Sequence, residues 1–134
     1  MSESPVLGVR AVVVDDDRLL LLRRAASRHA WSLPGGPLLV RELLAEAVVR
    51  SVGEQAGVEA ICGELLGPSE AVELDAAHEV TLAYRVTLLE AEEPVSGPEV
   101  VEARWVPLEV VGDLPLEQGL AELLHDHEII ATFA

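Results

Sequence analysis

Apolar positions along this chain follow two different periods. Val6 to Val14 is rich in β-branched residues, Asp15-Asp16-Asp17 interrupts it, and Arg18 to Arg23 resumes around four consecutive leucines. Two apolar runs joined by a short polar turn predict a β-hairpin, although Leu19 to Leu22 has no periodicity of its own that separates strand from helix. Leu33-Pro34-Gly35-Gly36-Pro37 then forms a breaker cluster, read as a loop. From Arg41 to Ala56 the period changes. Leu43, Leu44, Ala47, Val48 and Val52 recur at helical spacing, Gly53 is the sole Gly or Pro, and Gly57 stands where a C-capping glycine belongs. This predicts a helix of about four turns with one apolar face.

Beyond the helix, Val58 to Leu66 reads as a strand. His78 to Leu89 reads as a longer one, in which Val80, Leu82, Tyr84, Val86 and Leu88 alternate. Glu90 to Pro98 is an acidic loop, Glu102 to Pro107 a short strand, and Leu116 to Ile130 an amphipathic helix through Leu116, Leu120, Leu123, Leu124 and Ile130. The order β-β-loop-α-β-β-β-α predicts an α+β sandwich with a mixed sheet rather than a doubly wound one.

Composition narrows the functional classes. The 134 residues fit one domain, 1–134. No apolar run approaches the roughly 18 to 20 residues that cross a bilayer, so no membrane partner is expected. MSESPVLGVR has an early acid and no basic leader region, which predicts a cytoplasmic protein. One cysteine, Cys62, excludes an internal disulfide and is expected to pack in its strand. Net charge is −15, with 24 acids against nine basic residues, all arginine. A field of that sign opposes nucleic-acid polymers, yet a few local arginines or a divalent cation can still hold a small phosphorylated ligand.

Gly36 to Val58, preceded by Trp31-Ser32-Leu33-Pro34-Gly35, carries the most specific signal. It resembles the Nudix box, G-x5-E-x7-R-E-U-x-E-E-x-G-U, where U is aliphatic. Gly36, Glu42, Arg50, Val52, Glu54, Gly57 and Val58 fall in register, whereas Ser51 and Gln55 stand where the pattern has glutamates. Arg23-Arg24 and Arg104-Trp105-Val106-Pro107-Leu108 are similar to further family landmarks. The resemblance implies a Nudix-like α/β/α sandwich and hydrolysis of a nucleoside-diphosphate-linked small molecule, with Mg2+ or Mn2+ assisting water attack on phosphorus. A homodimer is an assembly common among such relatives.

The same resemblance supplies the candidate site. The Gly36 carbonyl, Glu54 and the Gln55 amide oxygen are the expected metal ligands. Glu54, Arg50 and a loop acid are the expected catalytic groups. Glu92, Glu93, Glu99 and Glu102 are the candidates for that acid, a choice the sequence leaves open, and Glu99 stands for it among the expected catalytic residues. Arg23, Arg24, Arg28 and Trp31 are the expected substrate contacts. Each has a plainer reading. The arginines, with His29, would otherwise form a solvated loop, Trp31 and Trp105 would be core, and Glu42 would serve the helix start. Glu46 lies about 12 Å along the helix from Glu54, too far to share an ion, and is expected to pair with Arg50 one turn on. His125 and His127, two apart on a helix, diverge and are read as a solvated face. With two box acids absent, hydrolysis is expected to be weak or atypical. The rivals are a non-catalytic ligand-sensing or partner-binding domain, and an enzyme that reuses the pocket without metal.

Overall fold

A computed structural model describes residues 5–71 and 78–131; residues 1–4, which carry part of the reading against a leader, lie outside them. The hairpin forms as expected from β1 (Val6–Asp15) and β2 (Arg18–Arg24). Asp16 and Asp17 adopt φ of 52° and 58°, the pair of left-handed residues that a two-residue turn needs to match strand twist. The remaining elements are β3 (Ser27–Ser32), β4 (Gly35–Pro37), α1 (Leu44–Ala56), β5 (Ala60–Ala71), β6 (Glu79–Leu88), β7 (Val100–Pro107), α2 (Leu108–Val111) and α3 (Leu120–Asp126).

The sheet runs β3-β2-β1-β6-β5, with β4 paired to β1 and β7 to β2. The β1–β6 pairing is parallel and the others antiparallel, so the sheet is mixed. Its two faces are both covered. Val9, Ala11, Val13, Leu20 and Leu22 pack against Ala47, Val48, Val52 and Ala56 of α1. Val12, Leu19, Leu21, Trp31 and Leu33 pack against Val111, Leu120, Leu124, Ile129 and Ile130 on the other side. This layering resolves the four leucines. Leu19 to Leu22 are all fully buried because a strand covered on both faces needs apolar residues at every position. Each such burial contributes about 1.5–3 kcal/mol before the entropy of ordering.

Several boundaries differ from the sequence expectation: β5 runs on to Ala71 rather than ending at Leu66, β7 starts at Val100 rather than Glu102, and α2 has no counterpart in it. Ser27 to Ser32 and Gly35 to Pro37 are strands rather than loop, captured by pairing with β2 and β1 respectively. Helix α1 begins at Leu44 rather than Arg41, because Arg41 sits at φ 63° and the Glu46 carboxylate accepts the Leu43 N–H at 2.9 Å. Glu46 therefore caps the helix instead of pairing with Arg50. The C-terminal helix shrinks to Leu120–Asp126, with Gly119 at φ 85° before it and Glu128 at φ 60° after it. Leu116 instead bridges to Trp31, and the Glu117 N–H donates to the Trp31 carbonyl at 2.9 Å. Gly57 caps α1 in the left-handed conformation, as the sequence predicts, and its N–H donates to the Gly53 carbonyl.

Candidate functional site

Helix α1, strand β4 and the ends of β1 and β2 enclose a cavity of about 510 Å³. Its wall includes Gly36, Arg50, Ser51, Glu54, Gln55, Arg24 and Glu99, so most of the expected site converges there. Arg10, Glu79, Thr81 and Glu117 also line it, and Arg10 pairs there with Glu117 at 3.7 Å. Three of the nine arginines thus gather in one cavity of a strongly acidic chain. The sequence did carry a signal for Arg10, a charge inside the otherwise apolar run of β1, but nothing in the linear pattern joined it to α1.

Strand alternation explains why Arg24 enters this cavity and Arg23 does not. Successive strand residues point to opposite faces. Arg24 follows Leu20 and Leu22 toward α1, while Arg23 follows Leu19 and Leu21 away from it. Arg24 Nη2 donates to the Leu33 carbonyl at 2.8 Å and to Gln55 Oε1 at 3.1 Å, and Nε donates to Ser32 Oγ at 3.2 Å. Burial, and then the neighbouring charge of Arg10, hold its pKa below the ordinary arginine value.

Gln55 is locked to the backbone. Its Oε1 accepts the Gly35 N–H at 2.9 Å, and its Nε2 donates to the Gly35 carbonyl at 2.9 Å. With Arg24 as a second donor, the amide oxygen has two N–H partners and no lone pair left for an ion. Gly36 is held in the ladder opposite Val9.

Ser51 lies on the buried side of α1, 1% exposed, and its Oγ has no hydrogen-bond partner among the described residues. Arg50 reaches Glu42 through Nε at 2.6 Å and Nη2 at 2.9 Å, and Glu54 through Nη1 at 3.3 Å. These bonds hold the Arg50 pKa up and, with the Leu39 N–H, hold the Glu42 pKa down. Glu42 thus fixes Arg50 and the approach to α1. The Glu54 side chain remains 60% exposed.

The acidic loop brings Glu99 to the cavity by closing over the helix end. Val95 N–H donates to the Ala56 carbonyl at 2.8 Å and Gly97 N–H to the Gln55 carbonyl at 3.1 Å, satisfying carbonyls that a helix terminus leaves free. Gly97 is required for this approach, since a Cβ there would stand 2.0 Å from the Glu54 carbonyl oxygen. Glu99 then borders Arg24, Glu54 and Gln55. The alternatives are engaged elsewhere or lie outside the cavity wall. Glu102 binds Arg23 at 2.7 Å and also Arg104, contacts that hold its pKa down. Glu92 accepts the Glu59 N–H, and Glu93 is exposed.

Arg23, Arg28 and Trp31 do not line the cavity. Arg23 and Arg104 lie over the Trp31 ring at 5.3 and 5.0 Å from its centroid, and Trp31 is 5% exposed in the second core. Arg28 and His29 are exposed on β3. Trp105 is likewise core, donating Nε1 to the Glu92 carbonyl at 3.0 Å. His125 and His127 flank the end of α3, away from the cavity.

The donor set does not fit a tightly held Mg2+ or Mn2+, which needs several hard, charged oxygens. Ser51 is neutral, Gln55 is committed to Gly35, and Glu54 leans on Arg50. Among the described residues no group of three or more His, Cys, Asp or Glu is disposed to hold a metal.

A mixed sheet between helical layers, with a loop–helix–loop bordering a cavity lined by three arginines and four glutamates, defines the class of α/β/α sandwich that the box resemblance implied. The chain belongs to the NUDIX domain family, whose model matches residues 4–127. A Mycobacterium tuberculosis protein named "Putative 8-oxo-dGTP diphosphatase 3" is 32% identical over 109 residues, covering 77% of this chain and 50% of that protein. An ADP-ribose pyrophosphatase of Methanocaldococcus jannaschii is 26% identical over 129 residues, covering 94% of this chain and 70% of the relative. The solved MutT protein of Methanosarcina mazei Go1 superposes with a TM-score of 0.81 at 27% identity, covering 96% of each chain. The chain spans about half the length of the mycobacterial relative. No helix among the described residues is long and apolar enough to cross a membrane.

Proposed function

We propose that this chain binds a nucleoside-diphosphate-linked small molecule in the α1–β4 cavity and hydrolyses its diphosphate weakly. The observation that carries the reading is the convergence of Arg10, Arg24 and Arg50 on one cavity wall, where guanidinium groups suit phosphate oxygens in charge and geometry. The relatives' names, with 8-oxo-dGTP and ADP-ribose, support a nucleotide-derived ligand. Four carboxylates border the same cavity, Glu54, Glu79, Glu99 and Glu117; of these Glu54 and Glu99, beside Gln55 at the end of α1, are the ones proposed to take a proton from attacking water. Hydrolysis is expected to be slow, because two of the four box acids, those at positions 51 and 55, are replaced by neutral residues and neutral groups hold a divalent ion less well.

A panel of ADP-ribose, nucleoside triphosphates and dinucleoside polyphosphates, scored separately for binding and for hydrolysis, tests this reading. Binding of none of them would end it. A second reading, binding without turnover, is favoured by the closure of Gln55 onto Gly35. It requires that hydrolysis by the wild type not exceed that of a Glu54→Gln, Glu99→Gln double variant. We further propose a cytoplasmic protein, which suits the lone Cys62. Leu39, Val40 and Leu43, all exposed beside α1, offer apolar surface for a homodimer that light scattering would detect.

A further inference from the structure

We propose that Arg24, joined by Arg10, supplies the positive charge of a divalent cation, so that the cavity binds a diphosphate ester in its metal-free form, with the Ser51 hydroxyl donating to a phosphate oxygen. The proposal rests on the reading of the ligand as a diphosphate. Three observations meet in it.

Arg24 is part-buried, yet its hydrogen-bond partners among the described residues are neutral oxygens of Ser32, Leu33, Gly35 and Gln55. It makes no ion pair among those residues. Taking a guanidinium partly out of water without a directly bonded carboxylate is costly. The like charge of Arg10 adds to that cost, while Glu117, which also pairs with Arg10 at 3.7 Å, and Glu99 offset part of it from a distance. All its bonds use Nε and Nη2, which leaves both Nη1 hydrogens for a ligand. An anion entering the cavity would provide the directly bonded counter-charge that neither Glu117 nor Glu99 supplies.

Ser51 Oγ is the second unanswered group. A buried hydroxyl with no partner costs about 1–3 kcal/mol by mutational measures, and this one lines the same cavity as Arg24. A phosphate oxygen would accept its proton. Such a contact gives the serine a role that a glutamate at this position would oppose by charge.

The third observation is the charge pattern itself. Glutamates at positions 51 and 55 would repel a diphosphate unless a divalent ion stood between them. Serine and glutamine remove that repulsion, and Gln55 fixes the Gly35 peptide and Arg24 together in one network. The two departures from the box pattern and the unpaired Arg24 are therefore parts of one change, from a cation held by acids to a cation that belongs to the chain.

Calorimetric titration of the wild type with ADP-ribose and with inorganic pyrophosphate, in EDTA and in millimolar Mg2+, tests the proposal. Binding in EDTA is expected to be at least as tight as in Mg2+, which sequesters free diphosphate. Arg24→Gln is expected to weaken binding in EDTA by roughly tenfold to a hundredfold, the usual effect of losing charged hydrogen bonds. Because Arg24 also anchors Leu33 and Gln55, Arg10→Gln provides a second variant whose loss disturbs less structure, and it should weaken binding in EDTA roughly tenfold. Binding that requires Mg2+ would overturn the proposal and leave the diphosphate reading intact. Unchanged affinity in EDTA for both folded variants would overturn it as well. Failure to bind either compound in either buffer would remove both readings.

Discussion

The Gln55 side-chain amide and the Gly35 peptide form a reciprocal pair, each donating one N–H and accepting one at 2.9 Å. This pair pins β4 to the C-terminal half of α1 and aligns the acceptors on which Arg24 rests. Gln55→Leu, of similar size, would leave the Gly35 N–H without a partner and the Gly35 carbonyl with only the long 3.4 Å bond from Arg24. The expected loss is about 2–4 kcal/mol, since each unsatisfied, partly buried group costs about 1–3 kcal/mol and the effects overlap. Urea denaturation read by tryptophan fluorescence measures it. A change below half a kilocalorie would show that the pair does not hold β4.

Ser51→Ala should act in the opposite direction. The hydroxyl is buried without a partner, and alanine is the better helix former. A gain of about 1 kcal/mol is expected, which raises the melting temperature by roughly 2–5 °C in a domain of this size. The same variant should bind pyrophosphate more weakly in EDTA. Stability gained together with affinity lost is the pattern of a polar group kept for its ligand, and a destabilised variant would contradict it.

Much of the fold was legible because it rests on local pattern. The Asp16–Asp17 turn, the alternation of β6 and the Gly57 cap are each decided by a few neighbouring residues. What sequence missed was decided by distant partners. Ser27 to Ser32 has little apolar character and becomes β3 only because β2 offers it a ladder. Leu116 leaves the expected helix because Trp31 takes it. The site divided in the same way. Glu54, Gln55 and Arg50, singled out by the box, line one cavity, whereas Arg23 and Arg24 looked alike in the linear chain. Strand parity separates them, and parity could have been read from Leu19 to Leu22 once β2 was known to have a core on each side. Arg10 and Glu117 join from β1 and the segment before α3, a meeting that only the folded topology creates.

Gly35→Ala should be among the most damaging single changes. An added Cβ would stand 2.1 Å from the Val9 carbonyl oxygen, at a backbone φ of 151°. Backbone atoms on a central strand cannot yield, so β4 would have to leave β1 and take the Gln55 clamp with it. A loss of about 3 kcal/mol or more is expected, in the range reserved for steric conflict at a special backbone position. Gly36→Ala is the internal control, because a Cβ there meets nothing within 4 Å. If both variants melted alike, close packing at Gly35 would not be the cause.

Glu42 gives the chain a defined acid sensitivity. The hydrogen bond from Arg50, and then that from the Leu39 N–H, hold its pKa below the ordinary glutamate value. The folded state thus binds this proton less readily than the unfolded chain, so stability rises with pH across the interval between the two pKa values. The contribution is fully present above the unfolded value of about 4.3 and is lost as pH falls through the lower folded one. Glu42→Gln removes the titrating group. The wild type should therefore exceed the variant by a constant margin from neutral pH down to about pH 5, and the margin should shrink as acidification continues below the unfolded pKa. Denaturant melts of both proteins across this range measure the margin directly. A margin that widened on acidification would mean that Glu42 is not the group whose charge the fold favours.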